Sequence, residues 1–133
     1  MEKKLNKLYL ECIQELKSIG IDVTDKRIGD IEITISKRNN KRYGACKQED
    51  PDKKTRFIEK HPRYKMITYG IYRKHYIEIS PWVMELDDSI IKNTIIHELI
   101  HCMPYCNSHG YAFKEHAERI NDKLGYNISR VRK

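Results

Sequence analysis

Asn93-Thr94-Ile95-Ile96-His97-Glu98-Leu99-Ile100-His101 is the most informative run of residues in this chain. It contains His-Glu-x-x-His: two histidines four residues apart, with a glutamate directly after the first. On an α-helix that spacing puts His97 and His101 on one face, about a turn apart, so both imidazoles can reach one zinc ion. Glu98 then lies beside a water on that metal. Zinc lowers the water's pKa, and the carboxylate takes its proton as the water attacks a carbonyl. These residue types at this spacing point to metal-assisted hydrolysis.

The flanking residues favour a helix. Asp87, Asp88 and Ser89 are all suitable N-caps, and Ile90, Ile91, Ile95, Leu99 and Cys102 recur near helical spacing. Pro104 cannot continue a helix interior without losing a hydrogen bond. The expectation is an amphipathic helix of roughly three to four turns. In the plainer alternative, both histidines line a buried helix face and bond to carbonyls. That alternative gives no role to Glu98 or to the further histidines just downstream.

A catalytic zinc takes three protein ligands and keeps one position open. His109 follows after a short connection, Cys102 to Ser108, in which Pro104 forces the chain out of the helix. Gly110 gives freedom where His109 must approach the metal, and Phe113 can pack the next helix against the motif helix. The residues alone leave rivals open: Glu115, Glu118 or His116 on the last helix, and the thiols of Cys102 and Cys106. For the oxyanion, Tyr105, Tyr111 and His116 are candidate donors, although packing is the simpler reading of each tyrosine taken alone.

A chain of 133 residues can bury the core of one domain, 1–133, and is too short for two ordinary ones. Its apolar runs fall well short of a membrane span. Met1-Glu2-Lys3-Lys4-Leu5 leads into an amphipathic pattern rather than a secretory signal, so the expected location is cytoplasmic. Cys12, Cys46, Cys102 and Cys106 contain no Cys-x-x-Cys pair and read as reduced thiols, with Cys12 on an apolar helical stripe.

A formal charge of +7 favours an acidic partner. The cations cluster around residues 37–65: Lys37, Arg38, Lys41, Arg42 and Lys47, then Lys53, Lys54, Arg56, Lys60, Arg63 and Lys65, interleaved with Phe57, Tyr64 and Tyr69. Bases and aromatics mixed in this way suit non-specific contact with DNA or RNA. Solubility alone is the competing explanation. No membrane partner is expected, and the chain is expected to be a monomer.

Leu5, Leu8, Tyr9, Cys12, Ile13, Leu16 and Ile19 repeat at three and four, with Gly20 as C-cap, which predicts an N-terminal helix. Ile31, Ile33 and Ile35 alternate with polar residues as a strand. Asn39-Asn40 signals a turn, and Arg42 to Cys46 reads as the returning strand. Residues 47–62 show little periodicity and read as a long surface loop, a candidate for substrate or partner engagement. Met66 to Tyr72 and Lys74 to Ile79 read as two further strands. Ser80-Pro81 begins a short helical turn before the motif helix, and a last helix spans about Tyr111 to Leu124, ended by Gly125. A basic tail, Arg130, Arg132 and Lys133, closes the chain. The order is α+β: N-terminal helix, small antiparallel β-sheet, then helices.

His97-Glu98-Leu99-Ile100-His101 followed by His109-Gly110-Tyr111-Ala112-Phe113-Lys114 resembles the SprT-like zinc metallopeptidase family, of the SprT/Spartan type. The resemblance extends to Ile77-Glu78-Ile79-Ser80, Tyr43-Gly44-Ala45-Cys46 and Glu118-Arg119-Ile120-Asn121, and so covers most of the chain. It implies a zincin-type active-site helix, with His97, His101 and His109 as zinc ligands and Glu98 as catalytic base. It also implies a cytosolic or DNA-associated peptidase acting on protein substrates. The sequence departs from many relatives in its short connection from His101 to His109 and in showing no paired-cysteine zinc ribbon.

A regulator-cleaving peptidase of the ImmA/IrrE kind fits the size but lacks the His-Gly-x-x-Phe block. A nucleic-acid-binding protein with a structural zinc would instead use Cys102 or Cys106 as a fourth ligand, and would have no use for Glu98.

Overall fold

The computed structural model describes residues 2–24, 28–37, 41–48, 56–60, 62–69, 74–103, 106 and 109–129, with backbone alone for 56–59 and 65–69. The N-terminal helix α1 (Glu2–Ser18) buries Leu5, Leu8, Cys12 and Leu16, the stripe expected from its period. It ends in a paired cap: Ile21 N–H donates to the Leu16 carbonyl at 2.9 Å and Gly20 N–H to the Lys17 carbonyl at 3.0 Å. Gly20 holds φ at 83°, the left-handed conformation this cap needs and that a side chain disfavours.

Strands β1 (Asp30–Ile35), β2 (Gly44–Gln48), β3 (Arg56–Lys60), β4 (Lys65–Tyr69) and β5 (Lys74–Ile79) form two sheets. One is three-stranded in the order β1-β5-β2, and the other pairs β3 with β4. The α+β order holds, but the three-stranded sheet is mixed rather than purely antiparallel. β1 runs parallel to β5, pairing Ile33 with Ile77, while β2 runs antiparallel to it, pairing Cys46 with Ile77. β2 therefore does not return against β1. Strand β5 takes the centre because its His75, Ile77 and Ile79 are all fully buried on one face. Alternation identifies a strand's faces but not its neighbours.

A second difference lies in the segment expected to be a loop. Residues 56–60 form β3, in register with β4 from Arg56↔Tyr69 to Lys60↔Lys65. Phe57 and Ile58 are consecutive, so no two-residue period announces the strand. The Asn39-Asn40 turn, residues 70–72 of the expected fourth strand, Pro104, Tyr105 and the basic tail lie outside the described residues, as do Arg38, Lys53 and Lys54.

A single 3₁₀ turn, Val83–Glu85, leads into α2 (Asp88–Cys102), and α3 (Tyr111–Leu124) closes the fold, capped by left-handed Gly125. α2 is not amphipathic: every residue from Thr94 to Ile100 is buried. It lies against α1, α3 and strands β2 and β5, so its apolar residues have partners on every side. Each buried isoleucine here stabilises the fold by about 1.5–3 kcal/mol. Toward α1, Lys92 pairs with Glu15 at 2.7 Å and Glu11 at 3.6 Å, which fixes the rotation of α2 about its own axis.

Candidate metal centre

Helical spacing and strand contacts together aim the side chains of α2. Thr94, Glu98 and Cys102 form an i, i+4, i+8 stripe. At one end of it, a Cβ added to Gly44 of β2 would sit 3.3 Å from Thr94 Cγ2. At the other end, Cys102 Sγ lies 3.5 Å from Cys46 Sγ of β2. Glu98 stands between these two contacts, on the β2 side of the helix. His97 and His101 lie on the adjoining stripe, with Glu98 about 60° round the helix from His101. Gly44 allows the close approach, because any Cβ there would also meet the Glu78 carbonyl oxygen at 2.8 Å.

His109 enters from the residue pair just before α3. Its Nε2 lies 3.1 Å from His97 Nε2 and 3.0 Å from His101 Nε2. The three nitrogens fall within 4.8 Å of one another and could hold a metal ion. One ring nitrogen has a single in-plane lone pair or proton, so His109 Nε2 cannot make two good hydrogen bonds at once. Three convergent lone pairs suit a shared cation better. Tetrahedral zinc, with Zn–N near 2.0–2.1 Å, spaces its nitrogens about 3.3 Å apart, close to the separations found here. The donor set fits.

Phe113 holds the cluster in place. Its ring is fully buried, and its centroid lies 4.9 Å from each of the three imidazole centroids. The Cys106 carbonyl supports His101, accepting from Nδ1 at 2.8 Å. Donation from Nδ1 leaves Nε2 as the bare nitrogen that faces the other two rings. Burial lowers the His101 pKa, the bond to Cys106 opposes that, and neighbouring His109 lowers it further. The neutral form, the one a metal requires, is thereby favoured.

Burial is graded across the site: His97 is buried, His101 half-buried and His109 exposed. Glu98, 2% exposed, is the only buried acidic side chain among the described residues. Burying a carboxylate is costly, which makes its presence here a pointer to chemistry.

The rivals fall elsewhere. Among the described residues no cysteine, aspartate or glutamate joins the three histidines. Glu118 pairs with Lys114 at 3.8 Å, Cys102 faces Cys46, and Cys106 contributes its carbonyl rather than its thiol. A hydrogen bond from Cys102 holds the Cys46 thiol below its ordinary pKa, against the opposing effect of burial. Tyr111 packs edge-on against Tyr64 at 5.3 Å, with the Arg63 guanidinium 5.7 Å from its ring centroid. Sequence reasoning missed the Cys106 carbonyl and the contact of Phe113 with all three rings. A spacing of five residues out of a helix carries no signal for the first, whereas the Phe113 position did suggest packing.

The model of the SprT-like family matches residues 10–132. The chain belongs to the SprT-like family. No curated protein and no solved structure matches it. SprT-like proteins are in general metal-dependent peptidases, and the site of this SprT-like chain is a histidine cluster able to take a metal. No helix among the described residues is long and apolar enough to cross a membrane.

Proposed function

We propose that this SprT-like chain is a zinc-dependent endopeptidase acting on protein substrates. The observation that carries the proposal is the convergence of three imidazole nitrogens beside a helix whose buried Glu98 lies on the adjoining stripe. His97, His101 and His109 would hold the zinc through Nε2. The bound ion would supply Lewis acidity, acidifying a water and polarising the scissile carbonyl. Glu98 accepts the water's proton and passes it to the leaving amine. Phe113 and the Cys106 carbonyl keep the imidazoles from turning, so little reorganisation remains for the reaction itself. A structural zinc would need a fourth protein ligand, and the separation of the Cys102 thiol toward Cys46 argues against one.

The test is Glu98→Gln. The variant is expected to keep about one zinc per chain while losing cleavage of unfolded test proteins by at least about a hundredfold. Cleavage at the parental rate would remove Glu98 from its assigned role.

We also propose non-specific contact with DNA or RNA. Lys37, Lys41, Arg42, Lys47, Lys60 and Arg63 are all exposed, which supports it. Binding to a fluorescent single strand should weaken steeply between about 50 and 200 mM salt. No binding at the lower salt would leave these cations a role in solubility alone.

A further inference from the structure

Cys46 on β2 and Cys102, the last residue of α2, stand 56 positions apart in the chain, yet their sulfurs are 3.5 Å apart. Both are free thiols. Cys46 is partly exposed, whereas Cys12, Cys102 and Cys106 are buried, so a small oxidant meets Cys46 first. Cys102 directly follows His101, and its sulfur lies 3.6 Å from the Glu98 carbonyl oxygen. The pair thus joins the edge strand to the turn of helix that carries both a histidine of the cluster and the buried glutamate.

We propose that Cys46 and Cys102 are a site of oxidative modification, where a disulfide ties β2 to the end of α2 and weakens metal binding. In a disulfide the sulfurs sit about 2.05 Å apart, so closure draws these two together by roughly 1.5 Å. The last turn of α2 moves with Cys102 and carries His101 away from its bond to the Cys106 carbonyl. Losing such outer support costs roughly 10–100-fold in metal affinity.

Hydrogen peroxide is a sufficient oxidant. The Cys46 thiolate attacks one peroxide oxygen and the O–O bond breaks. With one proton taken up, this gives a sulfenic acid and water. Cys102 sulfur then attacks the sulfenic sulfur; the S–S bond forms, the S–O bond breaks, and the hydroxyl leaves as water with the Cys102 proton. Two thiols are oxidised by two electrons, and one peroxide is reduced to two waters.

The experiment treats the zinc-loaded chain with hydrogen peroxide, alkylates the remaining thiols and maps the peptides without reduction. The expected product links the Cys46 and Cys102 peptides, with Cys12 and Cys106 alkylated. Transfer of zinc to a colorimetric chelator should be about tenfold faster or more after oxidation, and dithiothreitol should restore it. Cys46→Ser and Cys102→Ser should each abolish both responses, while Cys12→Ser keeps them. Four thiols that stay free, a Cys46 that oxidises without linking, or a link that leaves zinc transfer unchanged would each overturn the proposal. Neither readout needs a peptide substrate, so the result stands apart from the peptidase reading. Zinc absent before oxidation would count against the metal centre, and the peptide map would still decide the disulfide.

Discussion

His101 Nδ1 lies 2.8 Å from the carbonyl oxygen of Cys106, and that contact decides which of its ring nitrogens faces His109. A backbone carbonyl cannot be protonated at working pH, so it accepts only from an Nδ1–H and fixes the tautomer permanently. The short connection from His101 to His109 therefore does two jobs: it brings in the third imidazole and it orients the second.

Each of the three histidines offers a metal one ring nitrogen, but they are buried to different depths, which gives a paired prediction. His97→Ala, His101→Ala and His109→Ala should each reduce zinc affinity by more than the roughly 10–100-fold that losing an outer partner costs. In metal-free protein, His109→Ala should change stability little, because that ring is exposed. His97→Ala should cost about 1–3 kcal/mol, because that ring is buried against Phe113. Zinc titration and urea unfolding with a chelator present measure the two effects separately. Equal stability losses at His97 and His109 would contradict the burial gradient.

Phe113 supports both the fold and the histidine cluster. Phe113→Ala should destabilise the metal-free chain by about 3–5 kcal/mol and also lower zinc affinity, since three rings lose a common neighbour. Phe113→Leu, nearer in volume, should recover most of the stability while recovering less of the zinc affinity, because a branched aliphatic cannot reproduce the ring's contact with all three imidazoles. If both variants lost the two properties in proportion, Phe113 would be packing the core without aligning the ligands.

These contacts show where sequence reading stops. The boundaries of α3 and the apolar stripe of α1 were legible because both are set by residues within a few positions of each other: the 3.6-residue period, Gly20 and Gly125. The shared direction of His97 and His101, with Glu98 beside them, was legible because a helix converts spacing into direction, whereas His109 lies outside that helix and spacing alone left rivals to it open. Strand neighbours were not, since β5 sits between β1 and β2 through pairings of high sequence separation that alternation does not encode. The burial of α2 on all sides likewise depends on α1, α3, β2 and β5 being adjacent at once. The Cys46–Cys102 approach joins a strand to a helix end, and nothing local in either segment announces it.

His75 yields a prediction about pH. It is fully buried on β5, and its Nδ1 lies 2.7 Å from the Ile28 carbonyl oxygen. Burial lowers its pKa below the ordinary histidine value, against the raising effect of that hydrogen bond. As pH falls through about 6.5, the unfolded chain takes up a proton at this position while the folded chain does not. The unfolded state then binds more protons, so stability rises with pH across this window and falls as the solution is acidified, until the depressed folded pKa is reached. His75→Asn, whose amide can still donate toward Ile28, should make stability less dependent on pH between neutrality and mild acid, whatever its effect at pH 8. Urea midpoints of the metal-free protein taken every half unit of pH measure this, the chelator keeping the other histidines out of the metal equilibrium. If the parent and His75→Asn lost stability in parallel over that range, His75 would not be the group whose protonation is linked to unfolding.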